Sequence, residues 1–197
     1  MTEQTQHIIP MKPPQAVGRP VTMEIVKVAE ALAPSMRHVS GRSMPPEEAA
    51  AIMLKGYELG FNLTASMDYI KKVGDQYVLE GAGILALLHR SQLVEITIQP
   101  QSDSKGEPIG CTVTMKRRDS GFTYTVTFGR ADAERAGLIG KDNYKKYPAP
   151  MYLWRAVGQC AQVVVPDLLA GLHLMVEMQP DMPPDVFTID PDTGEIA

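Results

Sequence analysis

Between Val94 and Gly129, apolar and polar residues alternate in three runs: VEITIQ (94–99), GCTVTMKRR (110–118) and FTYTVTFG (122–129). A period of two puts successive side chains on opposite faces of a strand, so these runs predict an antiparallel meander. The link Asp119-Ser120-Gly121 is short enough for a hairpin, whereas PQSDSKGEPI reads as a longer loop. DYIKKVGDQYVLE (68–80) predicts a second hairpin with Gly74-Asp75 at its turn. Elsewhere the period is helical: TMEIVKVAEALA (22–33), EEAAAIMLKGYELG (47–60), GILALLHRS (83–91), ADAERAGL (131–138) and the segment 149–164. Ser43, Pro45, Pro46 and the acids behind them suit a helix start, and Gly60 a helix stop. The sum is an α+β fold, antiparallel hairpins and a meander with helices packed on them. This core spans 22–175, between a proline-punctuated flexible arm (1–21) and an acidic tail (176–197) that reads as disordered.

Length and composition permit one sizeable core, with 197 residues, 44% hydrophobic and 21% charged. No apolar run approaches the roughly 20 residues needed to cross a bilayer, and the N-terminus lacks the pattern of a signal peptide. Cys111 and Cys160 stand far apart and read as small core residues in a reducing compartment, the cytoplasm. The net charge of −4 is unevenly distributed. Beyond residue 176 lie six acids and no base, which leaves 19 basic against 17 acidic residues in the rest of the chain. Residues 105–155 alone carry ten basic against five acidic, so a polyanionic partner is compatible with the charge.

Catalytic signals are sparse. His7, His38, His89 and His173 are isolated, and neither a phosphate-binding glycine loop nor a nucleophile motif is present. Asp132 and Glu134 read as acids placed near a helix start. Nothing in the sequence calls for a metal or another cofactor, and the chain reads as a binding protein without catalytic residues.

Cations beside aromatics are better represented. Lys116, Arg117 and Arg118 end a strand, and Phe122 and Tyr124 follow. Tyr144, Tyr147, Tyr152 and Trp154 interleave with Lys145, Lys146 and Arg155. Such a mixture suits a single-stranded nucleic acid, whose phosphates need positive partners and whose unstacked bases need flat apolar surfaces. The same residues suit a core aromatic cluster beside a charged hairpin tip. In the last helix, Arg155, Gln159 and Gln162 share one face, opposite Val157, Cys160, Ala161 and Val164. That stripe either meets a ligand or satisfies a neighbouring loop or subunit. An oligomeric interaction module that does not touch DNA is the other function class these residues allow.

The segments FGRADAERAGL and YKKYPAPMYLWRAVGQCAQVVVPDLLAGL, preceded by GYELGFNLTASMDYIKKVGDQYVLEGAGILALLHRSQ, resemble the RecT family of phage single-strand annealing proteins. The likeness covers about residues 45–175 and extends distantly to lambda Red beta. It implies binding of single-stranded DNA and of the annealed duplex intermediate, with ATP-independent annealing of complementary strands in phage recombination inside a bacterial host. It also implies a homo-oligomer, ring or helical filament, with a phage exonuclease or host single-strand-binding protein as partners. Arg155 matches the family's [RK]-A element, Tyr144 its aromatic before K-x-Y/H-P, and Gln159 a glutamine of some members. Gln162 stands where an arginine is common. Lys145, Lys146, Lys116, Arg117, Arg118, Lys71 and Lys72 complete the expected DNA contacts.

Overall fold

The computed structural model describes residues 18–36 and 44–174. The arm up to residue 17, Ser43 and the acidic tail lie outside the described residues. The fold is α+β, with two three-stranded sheets. Three helices come first, α1 (Met23–Met36), α2 (Pro46–Glu58) and α3 (Leu63–Tyr69). α1 and α2 pack together and bury small side chains, Ala29 and Ala33 from one and Ala49 and Ala50 from the other. α2 and α3 approach so closely that a Cβ at Gly56 would overlap the Ser66 side chain. The buried Ser66 hydroxyl donates to the Asn62 carbonyl at 2.8 Å, so its burial leaves no polar group unsatisfied.

α3 is absent from the sequence reading and takes over the first residues of the expected 68–80 hairpin. What remains is β1 (Ile70–Val73) and β2 (Gln76–Leu79), joined through Gly74 at φ +58°. β6 (His173–Leu174) adds to β2 in parallel, giving the order β1-β2-β6. A two-residue strand carries no periodic signal, which is why the sequence did not show it.

After α4 (Gly81–Ser91) the meander forms β3 (Val94–Ser102), β4 (Pro108–Arg117) and β5 (Thr123–Gly129), antiparallel in that order. The expected long loop between the first two strands shrinks to residues 103–107. There the Asp103 carboxylate accepts the Lys105 and Glu107 amides at 2.8 and 2.9 Å, closing a tight turn. Register sets Ile96, Met115 and Tyr124 side by side, and likewise Ile98, Val113 and Val126. The opposite face is a polar ladder, with Thr112–Thr127 and Thr114–Thr125 hydroxyl pairs at 2.8 and 2.9 Å.

The chain then forms α5 (Arg130–Arg135), α6 (Asp142–Lys146), α7 (Pro148–Val164) and α8 (Pro166–Leu169). Asp132 accepts the Gly129 amide at 2.9 Å, the helix-start role expected of it. The basic loop of the sequence reading contains α6, five residues with Asp142 in the first turn and Lys145 and Lys146 in the last, the order a helix dipole favours. α7 lies across β4 and β5 and also touches α4. Ala156, Val157, Cys160, Ala161 and Val164 are buried, as are Cys111, Val113, Met115 and Phe128 of the sheet. Both cysteines are free and buried, and burial pushes the Cys160 thiol up to about 11, where it is unreactive. One continuous apolar cluster links the helices, both sheets and α7. No helix among the described residues is long and apolar enough to cross a membrane.

The α2–α3 contact makes the first prediction. Gly56→Ala forces these helices apart and lowers unfolding free energy by about 1–3 kcal/mol, read from urea denaturation. An unchanged midpoint would mean that the approach at Gly56 contributes nothing.

Candidate nucleic-acid interface

Tyr147 ends α6 and precedes α7, so a single residue turns the chain through the corner. Inside the corner Tyr144 is buried, its ring tilted on Tyr152 at 6.1 Å, and Tyr152 continues to Phe128 at 6.5 Å. The sequence reading offered Tyr144 as a surface for DNA. Its ring is largely buried because α6 turns it inward, and what remains accessible lines the cleft outside the corner. Burial pushes the Tyr144 phenol up, and the positive charge of the Arg155 guanidinium opposes that shift. Arg155 itself is partly exposed.

Outside the corner lies a cleft of about 370 Å³ between the first turn of α4 and α7. Glu80, Gly81, Lys141, Asn143, Trp154 and Arg155 line it, with Leu138 and Met151 among its apolar residues. One turn further along α7, the exposed Gln159 lines a second cleft with Asp132 and Arg135. Gln162 is also exposed, and neither glutamine side chain hydrogen-bonds to any described residue. The Arg155–Gln159–Gln162 stripe therefore faces outward.

Ion pairing separates the remaining expected contacts. Among the described residues no ion pair engages Lys116, Lys141, Lys145 or Arg155. Lys146 pairs with Asp142 at 3.2 Å, but both side chains are largely exposed. Such a pair contributes only about 0.3–0.5 kcal/mol, so a phosphate competes with it readily. Lys72 reaches Glu48 at 3.2 Å, and that carboxylate raises its pKa. Lys71 is a correction. Its side chain is buried and its ammonium donates to the Met67 carbonyl at 3.0 Å in the last turn of α3, where it offsets the helix dipole.

Arg117 is the larger correction. On β4 it shares the inward face of Met115, and its guanidinium grips Asp167 through two bonds of 2.6 and 2.8 Å. It also donates to the Val164 carbonyl at 3.1 Å and to Asp119 at 2.8 Å. These bonds tie the β4–β5 turn to the α7–α8 junction, leaving the guanidinium no open donor fork for phosphate. Arg117 holds the carboxyls of Asp167 and Asp119 below their ordinary range. Arg118 lies 3.7 Å from Glu95. Lys116 projects from the opposite, threonine-bearing face, flanked in register by Glu95 and Thr123. The corner lies on the α7 side of the sheet, and Val164, beside the clamp, is about 14 Å along α7 from Arg155. The hairpin cations and the corner cations thus lie apart on the surface.

Lys141, Asn143, Glu80 and Gly81 were missing from the expected site. Lys141 stood in the basic loop and was legible by charge. Asn143 stood in the same loop without a charge to mark it, and Glu80 and Gly81 arrive through folding from the start of α4, far upstream. No protein-family model matches the chain, and no curated protein matches it.

The clamp carries a pH signature. Folding lowers the Asp167 pKa below its ordinary value of about 3.9, so the pair stabilises fully above that value. Its contribution is lost as pH falls through the lower folded pKa. Because Asp167 is half exposed, Asp167→Ala should cost about 1 kcal/mol at neutral pH. The gap from the parent protein should close in acid, as followed by thermal melts across pH. A gap independent of pH would show that the ion pair is not its source.

Proposed function

We propose that this chain binds single-stranded DNA along the α6–α7 corner and anneals complementary strands without ATP, as a member of the RecT family. The observation that carries this reading is that Lys141 and Arg155, neither in an ion pair among the described residues, line a cleft walled by Trp154, with Lys145 exposed on the adjoining α6. Unpaired cations can exchange counterions for phosphates, which favours a polyanion without regard to sequence. The outward glutamines, Gln159 and Gln162, can donate to further backbone oxygens. Base pairing with an incoming strand then supplies all sequence discrimination. The resemblance over residues 45–175 points to the same activity, carried out by a homo-oligomer. Lys146 and Lys116 remain candidate contacts in this reading, the second on a separate face.

A second reading, an assembly module without DNA contact, is favoured by apolar side chains at both margins of the main sheet. Phe122 and Tyr124 are stacked at 6.5 Å and exposed beside β5, while Ile98 is exposed on β3 at the other margin. β3 and β5 are also the edge strands, whose unpaired backbone groups favour pairing with another chain.

A fluorescence-quench annealing assay without nucleotide or divalent metal separates the two. The DNA reading expects faster annealing of complementary oligonucleotides. Arg155→Ala should weaken single-strand affinity by about 1.5–3 kcal/mol, with partial recovery in Arg155→Lys. Assembly into oligomers with no DNA affinity would leave the second reading standing.

A further inference from the structure

We propose that the cleft between α4 and the α6–α7 corner is a pocket for one unstacked nucleobase, with the adjoining phosphate held by Arg155 and Lys141. This rests on the DNA-binding reading and adds a site that receives a base as well as a backbone. The cleft holds about 370 Å³, toward the lower end of the roughly 300–1,000 Å³ typical of small-ligand sites. That is room for one nucleotide and excludes a duplex.

The lining has three chemical parts. The flat part is Trp154, whose indole lies against Gly81 so closely that a Cβ there would overlap the ring. Glycine at this position is what lets the indole meet the first turn of α4. Met151 and Leu138 extend the apolar surface. The hydrogen-bonding part is Glu80 and Asn143. A carboxylate accepts from an amino or imino edge, and an amide both donates and accepts, which together match the polar edge of a base. The charged part is Arg155 and Lys141, neither held in an ion pair among the described residues. An aliphatic ligand would leave these cations unused, and a small anion would leave the indole uncovered. A nucleotide joins a flat ring, a polar edge and an anion in one unit. A base seated here is withdrawn from pairing, so occupancy fixes the register of the bound strand on the subunit.

The chain has a single tryptophan, so its emission reports on the cleft directly. The full chain is titrated with an oligothymidylate and with an abasic strand of equal length, reading Trp154 emission and the anisotropy of a dye on the strand. The pocket predicts that the thymidylate quenches Trp154 with the midpoint seen by anisotropy. The abasic strand should bind roughly ten-fold more weakly and leave emission unchanged. Asn143→Ala, at an exposed position, should weaken the thymidylate and spare the abasic strand. Equal affinities, or thymidylate binding without quenching, would overturn the pocket while DNA binding stood. If neither strand binds, the DNA reading fails, and free thymidine monophosphate then decides the pocket. Saturable quenching by it, absent with inorganic phosphate, supports the pocket, and no quenching overturns it.

Discussion

The packing of α7 across β4 and β5 is the constraint on which the other features depend. A helix that touches a sheet on one side and α4 on another needs small side chains at its closest approaches. Ala156, Gly158, Cys160 and Ala161, all buried, meet that need. Val157 and Val164 supply more apolar area, each fully buried aliphatic side chain contributing about 1.5–3 kcal/mol. With that face fixed, the rotation of the helix is fixed. Trp154 and Arg155 are then held toward the α4 side, and Gln159 and Gln162 toward water. The residues proposed to meet DNA are thus oriented by residues that never touch it.

Charge follows the same logic. Arg117 and Asp167 use their charges internally, fastening the β4–β5 turn to the end of α7. Lys71 is consumed by a helix terminus and Lys72 by a carboxylate. Among the described residues Lys141, Lys145 and Arg155 have no such acidic partner. A count of basic residues along the chain treats all of these alike, and only folded geometry sorts them.

Much of the architecture was legible because burial on one face leaves a period in the sequence. The meander, the hairpin at Gly74 and α7 all carried it. α6 and β6, of five and two residues, are too short to express any period and are held by their neighbours. The end of β3 and the start of β4 read as loop in the sequence because little there is buried on either face, so pairing continues without alternation. Arg117 could have been assigned from parity, since it shares the face of Met115 and Val113, both inward. Tyr144 could not, because its inward turn depends on the short helix that bears it. Glu80 and Gly81 joined the cleft only through contact between α4 and α7, a long-range relation that no local pattern encodes.

The central claim is that unpaired cations at the α6–α7 corner hold the phosphates of a single strand, and counterion release measures it most directly. Single-strand affinity of the full chain should fall linearly on a log–log plot against salt. Removing the charge at Lys141, Lys145 or Arg155 should each reduce the slope by about 0.7, the value for one phosphate contact on a single strand. Removing that of Lys72, already paired with Glu48, should leave it unchanged. A slope near zero, or equal losses at Lys72 and at the corner, would contradict the account.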